Sequence, residues 1–331
     1  MARLIVVTGG AGFIGSALIW TLNRMGYDRI LVVDALGQGD KWRNLVGLRF
    51  DDYREKDDFL EDIRNGTIRE REVQVVFHLG ACSSTIHPDK RYYLKNNFEY
   101  SKELATFALG GGVRFVYASS AATYGDGSQG FSDDEQQLDA LRPLNMYGYS
   151  KHLFDLWLRR RGVLSKAVGL KYFNVFGPNE YHKGEMRSFV HKAFFQVRET
   201  GGVRLFRSHH PDYPDGGQTR DFIYVKDAAD ITAFFLNPRV PGGIYNVGTG
   251  EPHTFNDLVR AVFDALGAPP RIEYVDTPES IRSQYQYFTK ADISRLRAAG
   301  CTAPLRDFAG AVREYVTEYL VPGLHLGTAG R

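Results

Sequence analysis

Short apolar runs alternate with longer amphipathic stretches through the first half of the chain. Leu4–Val7, Ile30–Val33, Val75–Leu79, Phe115–Ala118 and Ala167–Tyr172 are short, rich in Val and Ile, and bounded by Gly or polar residues. That pattern predicts strands buried on both faces. The amphipathic stretches between them, Phe13–Met25, Asp57–Asn65, Tyr93–Leu109 and Ser150–Arg160, read as helices. Strand–helix alternation specifies an α/β fold: a doubly wound parallel sheet with helices on both faces.

Beyond about residue 175 the pattern loosens. Met186–Glu199 and Asn256–Leu266 read as helices, as do stretches near Lys290–Ala299 and Leu305–Tyr319. Ile223–Val225, Ile244–Val247 and Ile272–Val275 read as strands, while Ser208–Gln218 is a Pro/Gly/His-rich loop. Pro238–Gly243 is a turn rather than a domain linker. The expected organisation is a first domain over 1–173, rejoined by a returning segment of about 221–250. A smaller substrate-binding lobe takes most of 174–322, and the Gly-containing tail 323–331 is expected to be flexible.

Composition narrows the function classes. The chain has 331 residues, 41 basic and 39 acidic, so nothing favours a polyanionic partner such as DNA. Any anionic ligand must be held by a few local groups. Cys82 and Cys301 are too few for a disulfide framework and lack metal-ligand spacing. No apolar run approaches the ~18 residues of a spanning helix, so no membrane association is expected and the cytoplasm is the expected location.

The segment Val7-Thr8-Gly9-Gly10-Ala11-Gly12-Phe13-Ile14-Gly15 follows the first predicted strand and opens the first predicted helix. Gly9 permits a tight turn, Gly12 lets backbone approach a pyrophosphate, and Gly15 lets helix pack on strand. The helix N-terminus then offers free N–H groups and a positive dipole end. Asp34, closing the second predicted strand, has the spacing of a ribose-binding acid and favours NAD. Lys41 and Lys56 lie just downstream, either to meet a 2′-phosphate or as solvated charges, so NADP and NAD both stay open.

Ser119-Ser120-Ala121-Ala122-Thr123-Tyr124-Gly125 follows the fourth predicted strand, and Tyr147-Gly148-Tyr149-Ser150-Lys151 comes some residues later. A phenol titrates near ~10, too high for a base at neutral pH. A lysine four positions on along a helical face places an ammonium nearby, and an oxidised nicotinamide adds positive charge. Both favour phenolate, so Tyr147 can take a proton from a sugar hydroxyl while hydride leaves to the cofactor. Ser120 would bond and orient the same oxygen.

In order, TGGAGFIG, SSAATYG, YGYSK and YFNVFGP (Tyr172–Pro178) resemble the extended short-chain dehydrogenase/reductase family, the nucleotide-sugar epimerases and dehydratases. GACSST at Gly80–Thr85, YSKEL at Tyr100–Leu104, HKGEM at His182–Met186, TRDFIYV at Thr219–Val225 and YQYFTKADI at Tyr285–Ile293 are similar, within it, to the heptose 6-epimerase branch. The resemblance implies a Rossmann fold, transient oxidation and re-reduction of an ADP-heptose at C-6 with bound NADP, and self-association through helices of the main domain. It implies catalytic roles for Ser120, Tyr147, Lys151 and Lys183, with Tyr147 and Lys183 as acid–base groups on opposite sides of C-6. It implies cofactor contacts from Gly9, Gly12, Phe13, Ile14, Gly15, Asp34, Ala35, Lys41, Lys56, Leu79, Gly80, Ala81, Cys82, Ser83, Asn96 and Lys151. Substrate contacts are implied for Ser120, Asn174, Glu185, His191, Phe206, Arg220 and Tyr285. Arg220 suits a diphosphate because its planar fork bonds bidentately.

Read without the resemblance, Lys183 is a grip for a phosphate or sugar hydroxyl, and Arg220 a structural partner of Asp221. Ala35 stands where the branch commonly has asparagine, Lys171 where arginine is frequent, and Arg207–Gln218 is longer than expected. A 4,6-dehydratase needs an Asp-Glu pair where Ala121-Ala122 stand, so elimination is excluded. An NAD-dependent 4-epimerase of UDP-hexoses remains the competing enzyme, since it shares Ser120, Tyr147 and Lys151 without needing Lys183. A non-catalytic dinucleotide sensor is the alternative of another class.

Overall fold

The computed structural model describes residues 3–85, 87–282 and 286–328. In chain order its strands are β1 (Leu4–Thr8), β2 (Ile30–Asp34), β3 (Asp52–Glu55), β4 (Val73–His78), β5 (Arg114–Ser120) and β6 (Ala167–Tyr172), followed by β7 (Asn174–Phe176), β8 (Val203–Phe206), β9 (Thr219–Arg220), β10 (Phe222–Tyr224), β11 (Gly243–Val247), β12 (His253–Thr254) and β13 (Ile272–Val275). Seven of these form one sheet in the order β3-β2-β1-β4-β5-β6-β11, with every pairing parallel. The chain winds outward from β1 to β3 and then restarts at β4, so the winding direction reverses between β1 and β4. A crevice opens there at the carboxyl ends of the strands.

Alternating side chains of the central strands feed two cores. Ile5 and Val7 of β1, Val32 of β2 and Val75 and Phe77 of β4 pack with Leu18, Ile19 and Leu22 of helix α1 (Phe13–Arg24). Val6, Leu31, Val33 and Val76 face the opposite side. That side is covered by α2 (Lys56–Arg64), by α4 (Tyr100–Gly110), which continues α3 (Lys90–Tyr93) through a π-helical turn at Leu94–Glu99, and by α5 (Met146–Arg160). Ile231 of α7 (Val225–Phe234) joins the first core. A third cluster, including Phe176, Phe194, Leu205, Val262 and Tyr315, holds α6 (Phe189–Thr200) and α8 (Phe255–Leu266) against β8. The doubly wound α/β class is the observed one. Among the described residues no helix is long and apolar enough to cross a membrane.

Three differences from the periodicity reading have identifiable causes. The sheet-edge strand β3, Asp-Tyr-Arg-Glu, lies half in solvent, so it needs no apolar run. Helix α5 starts at Met146 rather than Ser150, because the Asn145 side chain caps it by accepting from the Gly148 N–H at 2.8 Å. This places Tyr147 in the first turn. The tail expected to be free past Pro322 is packed through its described part: Leu326 is buried and its N–H donates to Asn179 Oδ1 at 2.9 Å.

Candidate functional site

At the switch point between β1 and β4 a cavity of about 520 Å³ opens along the strand ends. Gly9, in the left-handed region (φ +69°), turns the chain out of β1, and a Cβ there would lie 2.6 Å from the Gly80 backbone. A Cβ on Gly15 would lie 2.0 Å from the Gly9 carbonyl oxygen. Glycine is therefore required by contact at both positions. Helix α1 has Gly12 at its N-cap, with no side-chain cap and no acid in its first turn, leaving its amides and positive dipole end to a ligand. The cradle fits a dinucleotide pyrophosphate.

All the cofactor residues named from sequence line this cavity: Gly9, Gly12, Phe13, Ile14 and Gly15 at the first turn, Asp34, Ala35 and Lys41 past β2, and Lys56 at the start of α2. Leu79, Gly80, Ala81, Cys82 and Ser83 follow β4, and Asn96 and Lys151 complete the wall. Asp34 is heavily engaged. Its carboxylate accepts from the Ala11 N–H (2.8 Å), the Ala35 N–H (2.7 Å) and the Lys41 ammonium (2.5 Å). Lys56 pairs with the exposed Asp57 at 2.8 Å.

Ser120, Tyr147, Lys151 and Lys183 line the same cavity. Ser120 ends β5 and caps the following turn, its hydroxyl accepting from the Ala122 N–H at 3.1 Å. Burial raises the Tyr147 phenol above its ordinary range, and the hydrogen bond with Ser120 pulls it back down. Lys151 points its ammonium at the Ala118 carbonyl, 2.8 Å away, and burial lowers its pKa to about 8. The phenol's side-chain hydrogen bond is with Ser120, while the Lys151 ammonium is directed at the Ala118 carbonyl.

Lys183 comes from the turn Tyr181–Met186, which follows β7 in the chain and contributes His182, Lys183 and Met186 to the cavity wall. Its ammonium sits 5.2 Å from the centre of the Phe13 ring. Burial lowers its pKa, opposed by the Glu180 carboxylate. Glu180 is itself buried and accepts from the Ser188 N–H and, at 2.6 Å, from the Ser188 hydroxyl.

Of the described residues assigned to the sugar nucleotide, Ser120 lines the cavity, whereas Asn174, Glu185, His191, Phe206 and Arg220 do not. Asn174 and Glu185 are exposed, and Glu185 lies 3.6 Å from Lys192. His191, on α6, is buried near the rings of Tyr181 and Phe195, and burial lowers its pKa to about 4. Phe206 ends β8 and its carbonyl accepts from the Gly216 N–H. Arg220 is buried and donates to the carbonyls of Thr219 (2.8 Å) and Gln286. Asp221 is occupied by the N–H groups of Thr249, Gly250 and Ala291 and by the Thr249 hydroxyl. Tyr285 lies outside the described residues.

Sequence reasoning passed over several lining residues, including Tyr92, Tyr172, His182 and Met186. Tyr172 and His182 stand inside motifs already quoted, so adjacency to them was the available signal. Tyr92 carries no local signature, and only the fold brings it there.

Comparison with known proteins agrees with this geometry. The profile of the NAD dependent epimerase/dehydratase family matches residues 5–248. An ADP-L-glycero-D-manno-heptose-6-epimerase of Nitratidesulfovibrio vulgaris is 52% identical over 318 residues, 96% of this chain and 98% of that one. The crystal structure of Helicobacter pylori ADP-L-glycero-D-manno-heptose-6-epimerase superposes with a TM-score of 0.79 at 25% identity, covering 95% of each chain. The Thermus thermophilus UDP-glucose 4-epimerase structure, a complex with NAD, gives a TM-score of 0.73 at 28% identity over 95% of this chain and 98% of that one. With the glycine cradle, the Ser120–Tyr147 pair and a family profile spanning most of its length, this chain belongs to the NAD dependent epimerase/dehydratase family.

Proposed function

We propose that the protein interconverts ADP-D-glycero-D-manno-heptose and ADP-L-glycero-D-manno-heptose by inverting C-6. The single observation that carries this reading is that Lys183 shares one cavity with Ser120 and Tyr147. Nearly full-length identity of 52% to a heptose epimerase supports it. A dinucleotide in the cradle supplies a nicotinamide that accepts a hydride and returns it. Tyr147 takes the proton of the C-6 hydroxyl from one side, with Ser120 holding the oxygen. Its phenol, raised by burial, needs a nearby cation to become a base at neutral pH, and the buried Lys151 and an oxidised nicotinamide are the candidates. Lys183, with a lowered pKa, exchanges the proton on the opposite side of the carbon.

NADP is the proposed cofactor. The Lys41 ammonium already bonds the Asp34 carboxylate, so the acid that would select a free ribose diol is neutralised. Lys41 and Lys56 then supply positive charge for a 2′-phosphate. The substrate is carried by the second lobe through Asn174, Glu185, His191, Phe206, Arg220 and Tyr285 once the lobe engages it. The enzyme is proposed to work in the cytoplasm as a homo-oligomer.

The test is turnover of the purified protein on both C-6 epimers of the ADP-heptose and on UDP-glucose, followed by chromatography. Interconversion of the heptose epimers with little UDP-hexose reaction is expected. Epimerisation of UDP-glucose without heptose turnover would replace this reading with a 4-epimerase.

A further inference from the structure

Lys183 sits on a short turn that has no apolar core of its own, yet acid–base chemistry needs its ammonium held to within a fraction of an ångström. Two buried asparagines supply the anchorage. Asn44, from the turn Asp40–Leu45 that also carries Lys41, is 2% exposed. Its side-chain NH2 lies 3.0 Å from the Ala11 carbonyl of the nucleotide loop, 3.0 Å from the Asn179 carbonyl and 3.2 Å from His182 Nδ1. Ala11 is also the residue whose N–H binds Asp34.

Asn179 is completely buried and adopts a left-handed backbone (φ +75°), the one non-glycine positive φ among the described residues. Such a conformation persists only where its surroundings hold it. Its Nδ2 donates to Ser16 Oγ on helix α1 at 2.9 Å, and its Oδ1 accepts from the Leu326 N–H of the C-terminal tail at 2.9 Å. The tail grips the same turn a second time, the Tyr181 hydroxyl donating to the Leu324 carbonyl at 2.7 Å.

We propose that Asn44 and Asn179 are positioning residues that fasten the Lys183 turn to the nucleotide loop, so that one hydrogen-bonded unit holds the second proton-transfer group in place against that loop. This rests on the reading of Lys183 given above. The direct neighbours of Lys183 join that unit: His182 contacts Asn44, and Phe13, whose ring lies 5.2 Å from the ammonium, accepts at its carbonyl from the Ser16 hydroxyl that Asn179 bonds. Asn44 and Asn179 do not themselves line the cavity, and Asn44 reaches it through His182, the chain neighbour of Lys183.

The experiment is single-turnover formation of reduced nicotinamide, read by its fluorescence, after mixing the holoenzyme with each C-6 epimer separately. Lys183→Met defines which epimer depends on the lysine. Asn44→Ala should slow that same half-reaction by roughly 10- to 100-fold, the effect of a misplacement on the ångström scale, and leave the other epimer's half-reaction and the bound cofactor content unchanged. Asn179→Gly keeps the left-handed backbone and deletes both side-chain bonds, and should show the same asymmetry if Asn44→Ala folds poorly. Equal slowing of both half-reactions, or no slowing, would overturn the proposal. If Lys183→Met itself leaves both half-reactions intact, the proton-transfer reading falls, and the positioning role with it. If only Lys183→Met is asymmetric, the positioning role falls alone.

Discussion

The Lys41 ammonium lies 2.5 Å from Asp34 Oδ1, and Asp34 itself is buried at the end of β2. The acid that would otherwise read a ribose diol is held by a cation that can also meet a 2′-phosphate. Lys41→Met should weaken NADP binding by about 10- to 100-fold, the range of a charge-assisted hydrogen bond of about 1.5–3 kcal/mol. NAD binding should hold or tighten, since Asp34 is released. Titration of both dinucleotides against intrinsic fluorescence measures this, and an equal loss for both would contradict it.

Tyr147→Phe removes the hydroxyl and keeps the ring. Turnover should fall by roughly two orders of magnitude or more, the typical contribution of a general base, with dinucleotide still bound. Steady-state kinetics with a cofactor assay on the same preparation checks both halves. Near-normal turnover would remove the phenol from the chemistry.

Ser120 is the group that draws the Tyr147 phenol down against burial. Losing that bond in Ser120→Ala raises the pKa of a base that must be deprotonated to act. The acidic limb of the kcat/KM profile therefore moves to higher pH. A profile that drops in height without moving would assign Ser120 to orientation alone.

Lys183→Met should abolish full epimerisation while sparing the half-reaction that begins at Tyr147. A variant that only raised KM would make the lysine a grip for the sugar nucleotide rather than a proton carrier.

Two buried histidines predict acid sensitivity. Burial lowers the pKa of His78 to about 3 and that of His191 to about 4. Unfolded, each returns to about 6.5. Above that value neither state binds the proton, and stability is complete. As pH falls below it the unfolded chain takes up protons that the folded chain refuses, so stability is lost at up to about 1.4 kcal/mol per pH unit for each group. Denaturant midpoints between about pH 7 and pH 4 should fall, and His191→Phe should flatten part of the slope. A constant midpoint would show that neither ring stays neutral in the fold.

Much of this was legible in the chain because it depends on local chemistry. Strand β1, the glycine turn and helix α1 form one continuous stretch, so spacing alone locates the cradle. Tyr147 and Lys151 are one helical turn apart, and Ser120 ends a Val-containing apolar strand. What local pattern does not carry is which partner each group finds. Lys151 turns to Ala118, on β5, and Ser120 takes the phenol, choices made by the packing of α5 on the sheet. Strand β3 is polar because its edge meets water. Asn44, Asn179 and Leu326 come from three distant segments, and no spacing rule links them.

The most direct test of oxidation and re-reduction at C-6 is epimerisation of ADP-heptose carrying deuterium on that carbon, in ordinary water, with the product read by mass spectrometry. The expected result is a C-6 epimer that keeps its deuterium, because the hydride leaves to the nicotinamide and comes back. Loss of the label to solvent would mean that the carbon is deprotonated instead, and the roles assigned to Tyr147 and Lys183 would not stand.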